Sequence, residues 1–304
     1  MSDYDDHPLP GLAKPDLAAQ HLAELLSLKE LTLLIGAGVS ASAGLPDWQK
    51  LVEGCEAELG LDSPPDRSAT ELMRAIDRVE RQLKKSGLPL EIGGLVRQNL
   101  YTDEQLSANT YPLDILSNRM LIALGALVMA SARGSIGDII TLNFDDLLEW
   151  YLHLHGFRTQ VISEFPVDLR GNVDVAVFHP HGFAPLVTEA HEGSDWLVLS
   201  YQDLVKRLAA GAEEPWPTLL ASRFMTKRIL IVGTSMSDLD IDVILARARA
   251  VKRHSGPLGY YVAKGISADR AEELIEANIV PVSLESYDAI PDFLLKICQL
   301  AAAD

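Results

Sequence analysis

Cysteine is nearly absent from this chain: Cys55 and Cys298 are the only two in 304 residues. Two isolated thiols cannot build a disulfide framework or a four-thiolate zinc site, and their scarcity points to a reducing, cytoplasmic setting. Cations are also short. Lys and Arg number 26 against 43 Asp and Glu, a formal charge of -17, which repels nucleic-acid phosphates and argues against direct nucleic-acid binding. An anionic ligand must therefore be held by local devices such as helix N-termini and backbone amides. Long apolar runs are missing too. The longest with helical character, MLIALGALVMASA from Met120, is shorter than the roughly 20 residues a bilayer span requires, so it is expected in the core and no membrane partner is expected. No fixed-period repeat is visible. The opening MSDYDDHPLPGLAKPD is acidic and lacks the basic and apolar regions of a signal peptide, so residues 1–15 read as a mobile tail.

What is present is alternation. LTLLI, from Leu31 to Ile35, is a short apolar run ending at a glycine, the profile of a strand buried on both faces of a parallel sheet. GDIITLNFD, RTQVIS, VDVAVFHP, DWLVLS, RILIVGT, PLGYYVAK and NIVPVSLE repeat that profile, and DLLEWYLHLHG, DIDVILARARAVKRH, SADRAEELIEAN and YDAIPDFLLKICQL read as helices between or after them. Strand then helix, repeated, predicts an α/β fold with a doubly wound, Rossmann-like, mostly parallel sheet over residues 16–304. The alternation stops over residues 51–135. There ATELMRAIDRVERQLKKS, LEIGGLVRQNL and LDILSNRMLIALGALVMASA all read as helices, so a helical insertion is expected.

The first strand runs into LLIGAGVSASAGLPDW, with Gly36, Gly38 and Gly44 where small residues let backbone amides close on a pyrophosphate. Gly36-x-Gly38-x-x-Ala41 also fits a relaxed dehydrogenase fingerprint, so the glycines alone do not choose a chemistry. Pro46 does, because a dehydrogenase unit would continue through a full helix to a second strand ending in an acid. Three later segments sit at strand ends. Thr141, Asn143 and Asp145 follow the second strand, His179-Pro180-His181-Gly182 closes VAVFHPHGF, and Gly233-Thr234-Ser235 closes LIVGT. Asn143 or Asp145 also suits a helix cap. A histidine titrates near neutral pH and can accept a proton from a ribose hydroxyl or water. His181 is the candidate; His153, His155 and His191 read as structural or exposed, and His179 is left open, since in an extended segment it shares a face with His181.

Gly36, Ala37, Gly38, Ser40, Gly44, Pro46, Asp47 and Trp48 together resemble the NAD loop of the sirtuin superfamily, and the three later segments resemble its T-x-N-x-D, His-Gly and G-T-S motifs in family order. The resemblance implies NAD as substrate, with Asn143 beside the nicotinamide ribose, Asp145 and Thr141 supporting it, His181 catalytic, and Gly233, Thr234 and Ser235 near the adenine-side ribose. One departure stands out. Sirtuin deacylases read Asp-Phe-Arg where this chain has Asp47-Trp48-Gln49, so the arginine's contact is absent or replaced. Deacylases also carry a zinc module of two Cys-x-x-Cys pairs, and no zinc is expected here. The chain is thus more similar to the zinc-free sirtuin-like NAD hydrolases of bacterial anti-phage defence, in which water is the acceptor. That likeness implies a homo-oligomer and a separate partner protein such as a translocase-type ATPase. The alternatives are a protein deacylase or ADP-ribosyltransferase, and a non-catalytic sensor of NAD or ADP-ribose.

Overall fold

A computed structural model describes residues 9–87, 90–129, 135–165, 172–187, 197–209, 215–235 and 256–303. Seven strands form one sheet: β1 (Leu31–Ile35), β2 (Asp138–Thr141), β3 (Thr159–Ile162), β4 (Val175–Phe178), β5 (Arg228–Val232), β6 (Gly259–Lys264) and β7 (Ile279–Leu284). Their order is β3-β4-β2-β1-β5-β6-β7, and every pairing is parallel. The expected α/β, Rossmann-like architecture is thus observed.

The apolar runs explain themselves at β1. All five of its residues are buried. Leu31, Leu33 and Ile35 join one core and Leu34 the other, because alternate side chains of a strand leave on opposite faces. Its neighbour β5 divides the same way, with Leu230 and Val232 against Ile229 and Ile231. Helices cover both faces, as an all-parallel sheet requires. α2 (Pro15–Ser27) and the C-terminal helix α13 (Ala289–Ala301) pack together on one face, while α11 (Pro215–Thr226) and α12 (Ala268–Glu276) contribute to the other. Among the described residues no helix is long and apolar enough to cross a membrane.

Every regular element described between β1 and β2 is helical: α3 (Ala37–Ala41), α4 (Trp48–Glu58), α5 (Ala69–Ser86), α6 (Ile92–Leu100), α7 (Asp103–Ala108), a 3-10 turn at Leu113–Ser117, and α8 (Arg119–Val128). α5 carries both helix signals in its sequence, a Ser68–Glu71 capping box at one end and Gly87 in the left-handed region at the other. α8 packs on α13 and so belongs to the layer covering the sheet.

Four readings need correction or limits. The single helix expected from LDILS through Met120 is broken, because Asn118 accepts from the amides of Met120 and Leu121 and caps α8. DWLVLS is not a strand where it is described. Leu197–Leu199 are buried without a ladder; Val198 donates to the His181 carbonyl at 2.8 Å, and Ser200 ends the run by accepting from the Asp203 amide at the start of α10 (Tyr201–Ala209). The tail expected over residues 1–15 meets ordered structure early, since α1 (Leu9–Leu12) packs on α2 and Leu12 is fully buried. The helix expected in DIDVILARARAVKRH, and His191, lie outside the described residues.

Candidate active site

Because all seven strands are parallel, the loops leaving β1, β2, β4 and β5 emerge on one edge, where order reversal around β1 opens a crevice. A cavity of about 610 Å³ lies there, a size suited to a small-molecule ligand.

The floor is made by two turns in contact. A Cβ on Gly36 would lie 2.7 Å from Thr234 Cβ, and one on Gly38 would lie 2.9 Å from the Gly233 carbonyl oxygen. Gly233 itself has φ +72, and a Cβ there would meet the Val39 amide at 2.9 Å. Only glycine fits at these positions. The Gly38 amide donates to the Gly233 oxygen at 2.8 Å, so it ties the two turns together rather than standing free for a phosphate.

Gly36, Ala37, Gly38, Ser40, Pro46, Asp47, Trp48, Asn143, Asp145, His181, Gly233, Thr234 and Ser235 all line this cavity. Gly44 and Thr141 are not among its lining residues. Gly44 has φ +93 and makes the turn after α3, which any L side chain would strain. Thr141 instead positions a neighbour, its hydroxyl accepting from the Asn143 amide at 3.1 Å. Asp47 caps α4, accepting from the Lys50 amide at 2.9 Å, and the Trp48 ring lies 6.0 Å from that of Phe144. Gln49 donates to Glu53 on its own helix at 2.9 Å.

The chemistry centres on Asn143. Asp145 Oδ1 accepts the Ser40 hydroxyl at 3.0 Å, so the Ser40 oxygen presents lone pairs to Asn143 Nδ2, 2.8 Å away. This relay sets which end of the carboxamide faces Ser40. Oδ1 is therefore turned away, and it is buried with no hydrogen-bond partner among the described residues. An orphaned buried acceptor costs stability unless a donor reaches it.

Asp145 also accepts from the Leu147 amide at 3.2 Å, at the start of α9 (Leu147–Leu154), whose N-cap position is Asp146. Burial pushes the Asp145 carboxyl from 3.8 up to about 6; the Ser40 and Leu147 donors pull the other way, and the negative Glu149 and Asp146 add to the rise. The folded state therefore holds this proton to higher pH than the unfolded chain, and stability falls as pH rises from about 4 through about 6. Asp145→Asn keeps both acceptor contacts without the charge. It is expected to raise stability above pH 7 by up to about 3 kcal/mol, with the gain vanishing toward pH 4. Urea unfolding at pH 8 and pH 4.5 measures it, and an equal gain at both would reject this account.

His179 does not share the cavity. It is fully buried, with Nδ1 3.1 Å from the Asn143 carbonyl and Nε2 2.5 Å from Glu149 Oε1, while His181 reaches the lining two residues later. Asp146 went unremarked in the sequence. It accepts from Tyr111 at 2.7 Å and the Leu186 amide at 2.9 Å, joining the helical stretch to the loop after β4, and burial raises its pKa. Its only sequence trace is the doubled acid after Phe144.

Residues 137–282 match the family model described as SIR2-like domain. That stretch holds Asn143, Asp145, His181 and Gly233–Ser235 but not the Gly36–Trp48 loop. No curated protein matches the chain.

Proposed function

We propose, from the likeness of residues 137–282 to SIR2-like domains and so to chemistry on NAD, that this chain is an NAD glycohydrolase. The observation that carries the reading is Asn143, whose buried Oδ1 has no partner among the described residues and which lines one cavity with His181 and the glycine turns. Gly36, Gly38 and Gly233 let the two turns that floor the cavity pack in contact. NAD supplies an activated C–N bond between nicotinamide and ribose.

The chain's residues then act on water and the sugar. Asn143 Oδ1 accepts a hydrogen bond from the attacking water or a ribose hydroxyl, which fixes its orientation. His181 takes the proton that the nucleophile loses. The water oxygen bonds to the anomeric carbon, the C–N bond breaks, and nicotinamide leaves with its electron pair, giving ADP-ribose. Held by Ser40 and Asp145 before the ligand arrives, Asn143 needs no reorganisation. By the same resemblance, the physiological role we propose is NAD depletion in anti-phage defence, restrained until an oligomer or a partner protein such as a translocase-type ATPase assembles.

Incubating the full chain with NAD, with and without an acylated peptide, separates the readings. Equimolar nicotinamide and ADP-ribose, unaffected by peptide and reduced about 100-fold in His181→Ala, is expected. Nicotinamide release only with peptide would establish acyl or ADP-ribosyl transfer instead. Tight NAD binding with no release in any state would leave a sensor.

A further inference from the structure

Among the described residues that line the cavity, Arg67 alone carries a permanent positive charge, and it comes from the connection between α4 and α5 rather than from any strand end. Its side chain is only 6% exposed. Nη1 pairs with Glu56 at 2.8 Å and Nη2 donates to Ser63 at 3.0 Å, which orients the planar head. Glu56 is fully buried and is shared with Arg78, 2.9 Å away on α5. Two guanidinium groups on one carboxylate leave a net charge of about +1, in a protein whose overall charge is -17. Arg67 Nε is buried and has no hydrogen-bond partner among the described residues. A charged group with an unmet buried donor is costly unless an acceptor arrives.

We infer that Arg67 is the anion anchor of the cavity, its guanidinium binding a phosphate of the nucleotide ligand. The inference rests on the nucleotide reading above but not on hydrolysis. Arginine suits the task, since its rigid fork and weak hydration favour phosphate contacts. Ser68 and Ala69, which follow it and also line the cavity, open the 18-residue helix α5, whose positive N-terminal end adds to the local field. Glu56 acts as a positioning residue, because without it the head would be free to swing. Gln49 stands where deacylases place a cation, and it is engaged with Glu53; Arg67 supplies charge to the same cavity from a different part of the chain.

Calorimetric titration of the full chain with ADP-ribose, and with nicotinamide riboside as a phosphate-free probe, tests the anchor. Arg67→Gln is expected to weaken ADP-ribose at least 30-fold and to change riboside binding less than threefold. Arg67→Lys keeps Glu56 paired, so it guards against misfolding; it should weaken ADP-ribose about five- to 20-fold, with the same indifference to the riboside. Equal affinity of wild type and a folded variant for ADP-ribose overturns the anchor, as does an equal loss for both probes. AMP and ADP as further ligands show whether the second phosphate is the one held. A protein that binds ADP-ribose through Arg67 yet leaves NAD intact refutes hydrolysis and keeps the anchor; NAD cleavage indifferent to Arg67 does the reverse.

Discussion

Asn143→Ala is expected to lower NAD cleavage by about two to three orders of magnitude while the protein melts within a few degrees of wild type. The two halves follow from the two ends of one carboxamide. Its Nδ2 donates to Ser40, a contact of about 1 kcal/mol, whereas its Oδ1 is buried without a partner and costs a comparable amount in the absence of ligand. Alanine removes both, so stability changes little. Catalysis loses the one acceptor that the Ser40–Asp145 relay holds in place. Steady-state rates with NAD, set beside thermal unfolding, check both halves. Activity within threefold of wild type would remove Asn143 from the reaction, and a large fall in melting temperature would mark its role as structural.

The largest loss of stability is expected at His179. The Asn143 carbonyl can only accept, so His179 Nδ1 carries a proton toward it, and one further proton lies between Nε2 and Glu149 Oε1. His179→Ala strips that partner from a carboxylate that is buried and already close enough to raise the pKa of Asp145. Breaking a buried pair from one side costs about 3 to 5 kcal/mol. Denaturant unfolding should show a shift of that order, and adding Glu149→Gln should recover part of it, because the stranded charge is then gone. The turnover number should fall too, since the Asn143 backbone loses an anchor. Unfolding within 1 kcal/mol of wild type would show that the pair holds nothing in place.

The two adjacent histidines show where sequence reading stops. His179 and His181 sit two apart, and in an extended segment they would face the same way. The chain instead turns at Pro180–Gly182, with Gly182 at φ +94 and its amide bonded to the His179 carbonyl at 3.1 Å. The His179 ring enters the core against Phe183, at 4.5 Å between ring centres, while His181 is a residue of the cavity lining. Asp146 and Arg67 were equally hidden. The partners of Asp146 are 35 to 45 residues away, and the carboxylate that orients Arg67, Glu56, lies on α4, whose docking no local pattern announces.

From residue order alone came the strands of the parallel sheet, apart from DWLVLS, and the glycines that let its turns touch. Apolar runs of strand length and the absence of a side chain at Gly36, Gly38 and Gly233 are local properties, and local sterics carry them into the fold. Tertiary structure alone decided which end of the Asn143 carboxamide is left open, which histidine meets the cavity, and that one arginine charges its wall. The first two of those outcomes depend on hydrogen bonds between residues far apart in the chain, Ser40 to Asn143 across 103 positions among them. Such bonds form only after packing has brought the groups together, so they leave no periodic trace in the sequence.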